Sequence, residues 1–546
     1  MSDVLRFATS SLVFPEPTTA RPQISLPLVG VDGPVEWTVR RFPDDVVVAS
    51  GVAPASESGT ATIVLEPRAW APGYVRVEAA SGSRQAAVPM IVQTPPAADD
   101  FFGGVTLFPH SDDSDQVAQR KETPNDLIPV MGALGMGALL DTLPWSVIET
   151  TRGEYAFSTW TDQIVELCQK HGLRLTLRFM QNNPLYNGGD SSQKGLTRLP
   201  RTDEEVTGFT DFVLAALRRY PGKVHAVELW NEVNSASFNS GWWPDADART
   251  ILPLLRAAYT AIADEFPDVQ VLTPGAVGTG VQAAGEFWKQ FIEEGGLEHC
   301  DAISAHPYEQ SPRQFRALMK ALNKKMVAVN GAVHPVAFTE AGWSRVVPDP
   351  TGGNGAWVRT LHAQAMALVH LLVGAQEFAN VSSAFWYNMV DSWWDDPGGT
   401  ENNFGLFVLR GNASDADRPK PVAWAFARLR RELAGVAFHS VRSFDDGGRH
   451  VDVFRFTGGG RTRLVAWTTP EQIDPYPDEL RSARAGDGAV SLPVSAVVAD
   501  GERITGMRDI YGDAVAVDGA VTLSFTPAYI DVAKATEARR AGATLG

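Results

Sequence analysis

Cysteine is close to absent. Cys168 and Cys300 are the only two in 546 residues, too few for a disulfide framework or a metal-spaced set, so both are expected to be buried thiols. Positive charge is also short: 47 Lys and Arg stand against 64 Asp and Glu, a net charge of −17. No basic cluster appears, so no nucleic acid and no anionic membrane is expected as a partner. No apolar run is long enough to span a bilayer. The opening residues, MSDVLRFATS, have neither a charged leader nor an apolar stretch. No secretion signal is therefore visible, and the expected location is cytoplasmic unless such a segment has been trimmed, in which case the protein is secreted. What is present is an ordinary globular mixture, 44% hydrophobic and 20% charged, with length for roughly two to four domains.

The texture changes twice along the chain. Residues 1–98 hold short strands (QISLPLV, VEWTVRRF, ATIVLEP, GYVRVEAA, AAVPMIVQ) punctuated by Pro, Gly, Ser and Asp, which suits an Ig-like β-sandwich. Residues 99–434 alternate short apolar runs with helical patterns, the mark of βα units. Strands are predicted at 104–108, 138–143, 174–179, 226–230, 270–273, 302–305, 336–339 and 383–387, each followed by a helix. Residues 435–546 return to β texture, ending in a frayed tail. The expected architecture is α/β: a (β/α)8 TIM barrel flanked by an N-terminal and a C-terminal β-sandwich. No chemistry is legible in either sandwich, and both read as structural.

Chemistry gathers at the ends of the barrel strands. Residues 224–234, VHAVELWNEVN, run apolar and then deliver Asn231 and Glu232. Residues 336–343, VAFTEAGW, end another apolar run in Glu340, 108 positions after Glu232. Two acids on two strand ends are what retaining glycoside hydrolysis requires, one protonating the leaving oxygen and the other attacking the anomeric carbon. Strand six, AISAHPYE, places His306 and Tyr308 on the same rim. A tyrosine there is positioned to hydrogen-bond the nucleophile, and a histidine to meet a sugar hydroxyl. Strand eight offers Trp386 as a flat face for sugar C–H groups, and Trp145, Trp242, Trp243, Trp343, Trp393 and Trp394 fall on loops at the same end. His110, Asn182 and Asn183 follow strands one and three as further candidates. Glu228 lies inside strand four and needs a partner if buried; Arg178 on strand three is the expected one, in a structural ion pair. Asp141 on strand two is similarly open.

The motifs LWNE and FTEAGW, with residues 143–179 (LPWSVIETTRGEYAFSTWTDQIVELCQKHGLRLTLRF) and 403–429 (NFGLFVLRGNASDADRPKPVAWAFARL), resemble the retaining glycoside hydrolases of clan A. The resemblance covers about residues 102–433 and is nearest to families 39 and 5, while TEAGWS around Glu340 also resembles family 17 endo-glucanases. It implies Glu232 as acid/base, Glu340 as nucleophile and Asn231 as the amide on the sugar 2-hydroxyl. It also implies His306 and Tyr308 as the strand-six pair and Trp386 as the platform, with Trp145 and His110 kept as candidate substrate-binding residues.

The expected activity is hydrolysis of a β-glycosidic bond by double displacement through a covalent glycosyl-enzyme. Its substrate is expected to be an oligosaccharide, a polysaccharide or a simple glycoside. Neither metal nor organic cofactor is expected. Two alternatives use the same residues: a catalytically silent carbohydrate-binding barrel, and a transglycosylase in which a sugar hydroxyl replaces water.

Overall fold

The computed structural model describes residues 5–8, 13–14, 23–42, 45–67, 72–94, 96–110, 112, 122–186, 199–235, 248–277, 281–308, 311–345, 358–391, 403–408, 419–471 and 477–535. At its centre is a closed parallel barrel. In chain order its strands are Asp99–Val105, Met136–Pro144, Arg174–Met180, Ala226–Leu229, Gln270–Leu272, Ile303–His306, Val336–Ala341 and Val381–Trp386. Neighbours pair in the order five, four, three, two, one, eight, seven, six. The ring closes between five and six through the Leu272–Ala302 bridge and the short strand Ala276–Val277 beside Ile303–His306. Helices Pro124–Leu134, Thr159–His171, Asp203–Arg219, Leu252–Glu265, Val281–Glu293, Pro312–Asn330, Leu361–Ala375 and Pro421–Leu433 follow the strands in turn.

Local chemistry sets these boundaries. Ser158, Thr202, Ser311 and Thr360 each accept a backbone N–H from the first turn of the helix they open. Thr202 and Glu205 complete a capping box. Strand one departs from expectation. It spans Asp99–Val105 rather than 104–108, with Gly103 as well as Gly104 inside the strand. A Cβ at Gly103 would lie 2.4 Å from the Phe385 ring, and one at Gly104 would lie 2.7 Å from Met389 Sδ. Glycine is what lets strand one approach strand eight.

Antiparallel sheets flank the barrel. On the N-terminal side a three-stranded sheet (Arg6–Phe7, Ile24–Val29, Thr60–Leu65) faces a five-stranded one whose edge strand, Val47–Ala53, was not anticipated. On the C-terminal side a five-stranded sheet includes Glu502–Arg508, also unanticipated, beside a two-stranded one. Both units pack into the barrel's own core. Tyr511 ties the three together: its ring meets Phe42 edge-on at 5.0 Å, its carbonyl accepts from Trp424 Nε1 at 2.9 Å, and its hydroxyl lies 3.0 Å from His362 Nδ1.

Candidate active site

Strand four ends under strain. Trp230 (φ 90°) and Glu232 (φ 39°) take positive φ, a region that costs a non-glycine residue on the order of 1–3 kcal/mol. The buried Trp230 ring, packed on Phe209 at 5.6 Å, anchors the turn that delivers Asn231 and Glu232. Strand six ends in His306, for which Gly275, just beyond strand five, makes room: a Cβ there would sit 2.2 Å from His306 Nε2. His306 Nδ1 is 2.9 Å from Glu232 Oε1 and 3.6 Å from Glu340 Oε2. Tyr308 donates its hydroxyl to Glu340 Oε2 at 2.7 Å, and Arg178 Nη1 donates to Glu340 Oε1. One oxygen of Glu232, one of Glu340 and a ring nitrogen of His306 all lie within 4.8 Å of one another.

Beneath these carboxyls is a second, fully buried layer. Arg178 and Glu228 sit opposite each other in the strand three–four register, with Arg178 Nε donating to Glu228 Oε2 at 2.8 Å. Glu228 Oε1 also accepts from Ser304 Oγ at 2.7 Å and Thr339 Oγ1 at 3.0 Å. Burial alone would raise the Glu228 carboxyl, but the Arg178 charge and the His306 and Ser304 contacts bring it down to about 2. Burial alone would likewise drive His306 neutral. The charges and hydrogen bonds of Glu340, Glu228 and Glu232 outweigh it and push His306 up to about 9, so at neutral pH it is an imidazolium. Burial and the Glu340 charge hold the Tyr308 phenol well above its ordinary value, which keeps it a donor. Burial opposes the Arg178 charge, but Glu228 and Glu340 hold its pKa above the ordinary arginine value.

Glu232, His306 and Glu340 are also spaced as metal ligands could be. The donors are already engaged: Glu340 takes the Arg178 guanidinium on one oxygen and the Tyr308 hydroxyl on the other.

Of the residues singled out in the sequence, Glu232, Glu340, His306 and Tyr308 come together. Asn231 joins them on the same turn, buried, with its Oδ1 lacking a hydrogen-bond partner among the described residues. Three others need correction. Trp386 is fully buried, its ring stacked on Trp343 at 6.2 Å and its indole N–H donated to Phe404 O at 3.1 Å, so it presents no face to a ligand. Trp145 is buried against Phe209, Phe212 and Tyr186 and donates to Glu149. His110 is enclosed between Thr161 Oγ1 (2.9 Å) and Asp141 Oδ1 (3.5 Å). Asp141 is itself structural, accepting from Thr106 Oγ1 at 3.0 Å. Asn183 is buried and donates to Glu149 O at 2.8 Å, while Asn182 is half-buried on the same loop. Trp242, Trp243, Trp393 and Trp394 lie outside the described residues.

Two contributions were missed. Arg178 was read as a structural partner of Glu228 alone, whereas the same guanidinium reaches Glu340. Tyr387, one residue beyond Trp386, packs edge-on against Tyr308 at 6.1 Å and Phe404 at 5.3 Å, beside the Glu340 hydroxyl donor. Strand alternation was the available signal: successive side chains face opposite sides, so Trp386 and Tyr387 cannot both face the mouth.

The sequence matches no protein-family model and no curated protein. Solved structures do match. A family 39 glycoside hydrolase from the gut symbiont Bacteroides cellulosilyticus aligns over 97% of this chain and 100% of its own, at 20% identity and TM-score 0.71. A monomeric beta-xylosidase from Caulobacter crescentus covers 81% of this chain and 97% of its own, at 16% identity and TM-score 0.50. The GH39 enzyme from Xanthomonas axonopodis pv. citri covers 81% and 96%, also at 16% and 0.50. At these identities the likeness is one of fold, and that fold is the (β/α)8 barrel flanked by β-structure that the strand order describes.

Proposed function

We infer that the protein is a retaining glycoside hydrolase that cleaves a β-glycosidic bond. The observation that carries this reading is the pairing of Glu232 and Glu340 across the barrel mouth, with oxygens within 4.8 Å of each other. Retaining enzymes set their carboxyl groups about 5–5.5 Å apart and inverting ones roughly 6.5–9.5 Å, the difference being room for a water. One oxygen of each acid within 4.8 Å of the other is compatible with the shorter spacing, in which a carboxylate attacks directly. The surroundings divide the roles. Glu340 accepts from Arg178 on one oxygen and from Tyr308 on the other, contacts that hold the carboxyl in place and suit a nucleophile. Glu232 is the more exposed of the two (13% against 8%), where a leaving group and then water can reach it, which suits the acid/base.

In the first step Glu232 gives its proton to the glycosidic oxygen as a Glu340 oxygen bonds to the anomeric carbon and the aglycone departs. In the second, water attacks that carbon, its proton passes to Glu232, and Glu340 leaves as carboxylate. Asn231, with its free Oδ1, is the proposed acceptor for a sugar hydroxyl beside the bond being broken. The glycoside class of the fold neighbours supports the same substrate class.

The test begins with a screen of aryl β-glycosides and oligosaccharides. On the best substrate, Glu232→Gln and Glu340→Gln should each lower kcat by at least about 100- to 10,000-fold. Proton NMR in the first minutes of turnover should show the β-anomer first. Initial release of the α-anomer would make Glu340 a base rather than a nucleophile, and near-normal turnover by either variant would remove the assignment.

A further inference from the structure

Glu228 has no place in the two-step chemistry above, yet it is the most enclosed acid of the cluster, fully buried on strand four. Burying a carboxylate in a barrel interior is expensive unless its charge is used. Its contacts run to two cations, each of which touches one of the proposed catalytic acids. Through Arg178 it reaches Glu340: the guanidinium gives Nε to Glu228 at 2.8 Å and Nη1 to Glu340. Through Thr339 it reaches His306: the Thr339 hydroxyl donates to Glu228 at 3.0 Å, and its oxygen lies 3.1 Å from His306 Nε2. Glu228 Oε1 is also 3.8 Å from His306 Nε2 directly. His306 in turn holds Glu232 at 2.9 Å. The charged and titratable groups facing His306 are Glu228 and Glu232 from strand four and its end, Glu340 from strand seven, Arg178 from strand three and Tyr308 from its own segment.

Charge counting gives these contacts a purpose. Arg178 and His306 supply two positive charges; Glu228, Glu232 and Glu340 supply three carboxyls. The buried cluster is neutral when one carboxyl carries a proton, which is the state the first chemical step needs at Glu232. Without the Glu228 charge, neutrality would require either both other acids ionised or the proton gone from His306.

We propose that Glu228 is a positioning residue for the reaction: from beneath the two acids it fixes Arg178 against Glu340 and holds the proton on His306 opposite Glu232. The proposal rests on the glycosidase reading above. It acts through its partners and touches no substrate.

Glu228→Gln keeps the shape and removes the charge. The expected result is a fall in kcat of about tenfold or more. The alkaline limb of the kcat/KM profile should also move down by roughly 1–3 pH units as His306 loses its counter-ion. Glu228→Asp should return the limb towards its original position, because it restores the charge on a shorter stem. A merely structural role predicts lost stability with no displacement of the limb, and a folded Glu228→Gln enzyme with the original profile overturns the proposal. If Glu228→Gln does not fold, the unmutated protein still decides. Imidazole N–H resonances of His306, assigned with His306→Gln, should persist past pH 8, and their loss near pH 6.5 overturns the proposal. Wild-type turnover and the Glu340→Gln loss are measured alongside. If those fail while His306 remains protonated, the glycosidase reading is at fault and not the electrostatics.

Discussion

Tyr308→Phe isolates one hydrogen bond in the proposed mechanism. The phenol donates to Glu340 Oε2 at 2.7 Å from a buried ring held by Tyr387 and Phe404, so phenylalanine keeps the packing and deletes only the donor. A hydrogen bond to a charged group is worth about 1.5–3 kcal/mol, or roughly 10- to 150-fold in a rate that depends on it. The two steps depend on it differently. While Glu340 is esterified its oxygens carry little charge and the bond is weak. As Glu340 leaves in the second step the charge returns and the bond strengthens, so Tyr308 stabilises that transition state more than the glycosyl-enzyme before it. In the first step the bond is strongest in the ground state, and its loss partly cancels. With an activated aryl β-glycoside, kcat should fall about 10- to 100-fold and kcat/KM by much less, so KM falls too. Glycosyl-enzyme should accumulate, visible as a burst of phenol and as a mass increase of the intact protein. Equal falls in kcat and kcat/KM with no burst would show that Tyr308 does not act on the departing carboxylate.

Two further outcomes follow from burial. Trp386→Ala should lower the melting temperature sharply, a loss of roughly 3–5 kcal/mol for a fully enclosed indole, while Trp386→Phe should keep most of the stability; an unchanged melt with a selective rise in KM would return Trp386 to the binding cleft. Acid should loosen the contact between the barrel and the C-terminal sheets, where burial pushes His362 down to about 4 against the opposing charge of Asp487, and pushes His370 down to about 3. Both folded values lie below the unfolded value near 6.5, so this stability is intact above about pH 6.5 and is lost as pH falls towards 4 and then 3, at most on the order of 3 kcal/mol for His362 and about 5 kcal/mol for His370. Melting temperature against pH checks it: His362→Gln should flatten the acid limb, and a limb identical to that of the parent protein refutes the assignment.

Where the chain punctuates itself, its fold is readable from residues alone. The caps at Ser158, Thr202 and Ser311 fix their helix starts to within a residue, because a side-chain oxygen answers the unpaired N–H groups of a first turn in any tertiary setting. The misses have the opposite character. Glu502–Arg508 has no apolar run, since most of its side chains are exposed or half-buried and only Met507 is enclosed. Its strand state comes from pairing with Ala528–Lys534, a long-range fact absent from its own seven residues. Strand one was placed too late, starting at Gly104, because a glycine pair weakens a strand pattern. Here it marks the absence of room beside Phe385 and Met389, and those neighbours are more than 280 positions away.

At the site the same division holds, with one refinement. Glu232 and Glu340 were legible because each closes an apolar run, and a strand that ends in an acid delivers it to the barrel mouth whatever the other strands do. That Glu228 would need a cation was also legible, because an unpaired buried carboxylate is too costly to persist. What a single run cannot reveal is that one guanidinium has two customers. Arg178 pairs with Glu228 across adjacent strands and with Glu340 on the far side of the ring, and only closure brings strands three and seven within reach. Trp386 failed on a finer scale. Strand side chains alternate, so placing the mouth-facing aromatic correctly requires the register to a single residue, and a bulge interrupts the strand seven–eight pairing between Phe338 and Ala341, just before Ala341 meets Trp386. Trp386 is therefore core, and the ring beside Tyr308 is that of Tyr387.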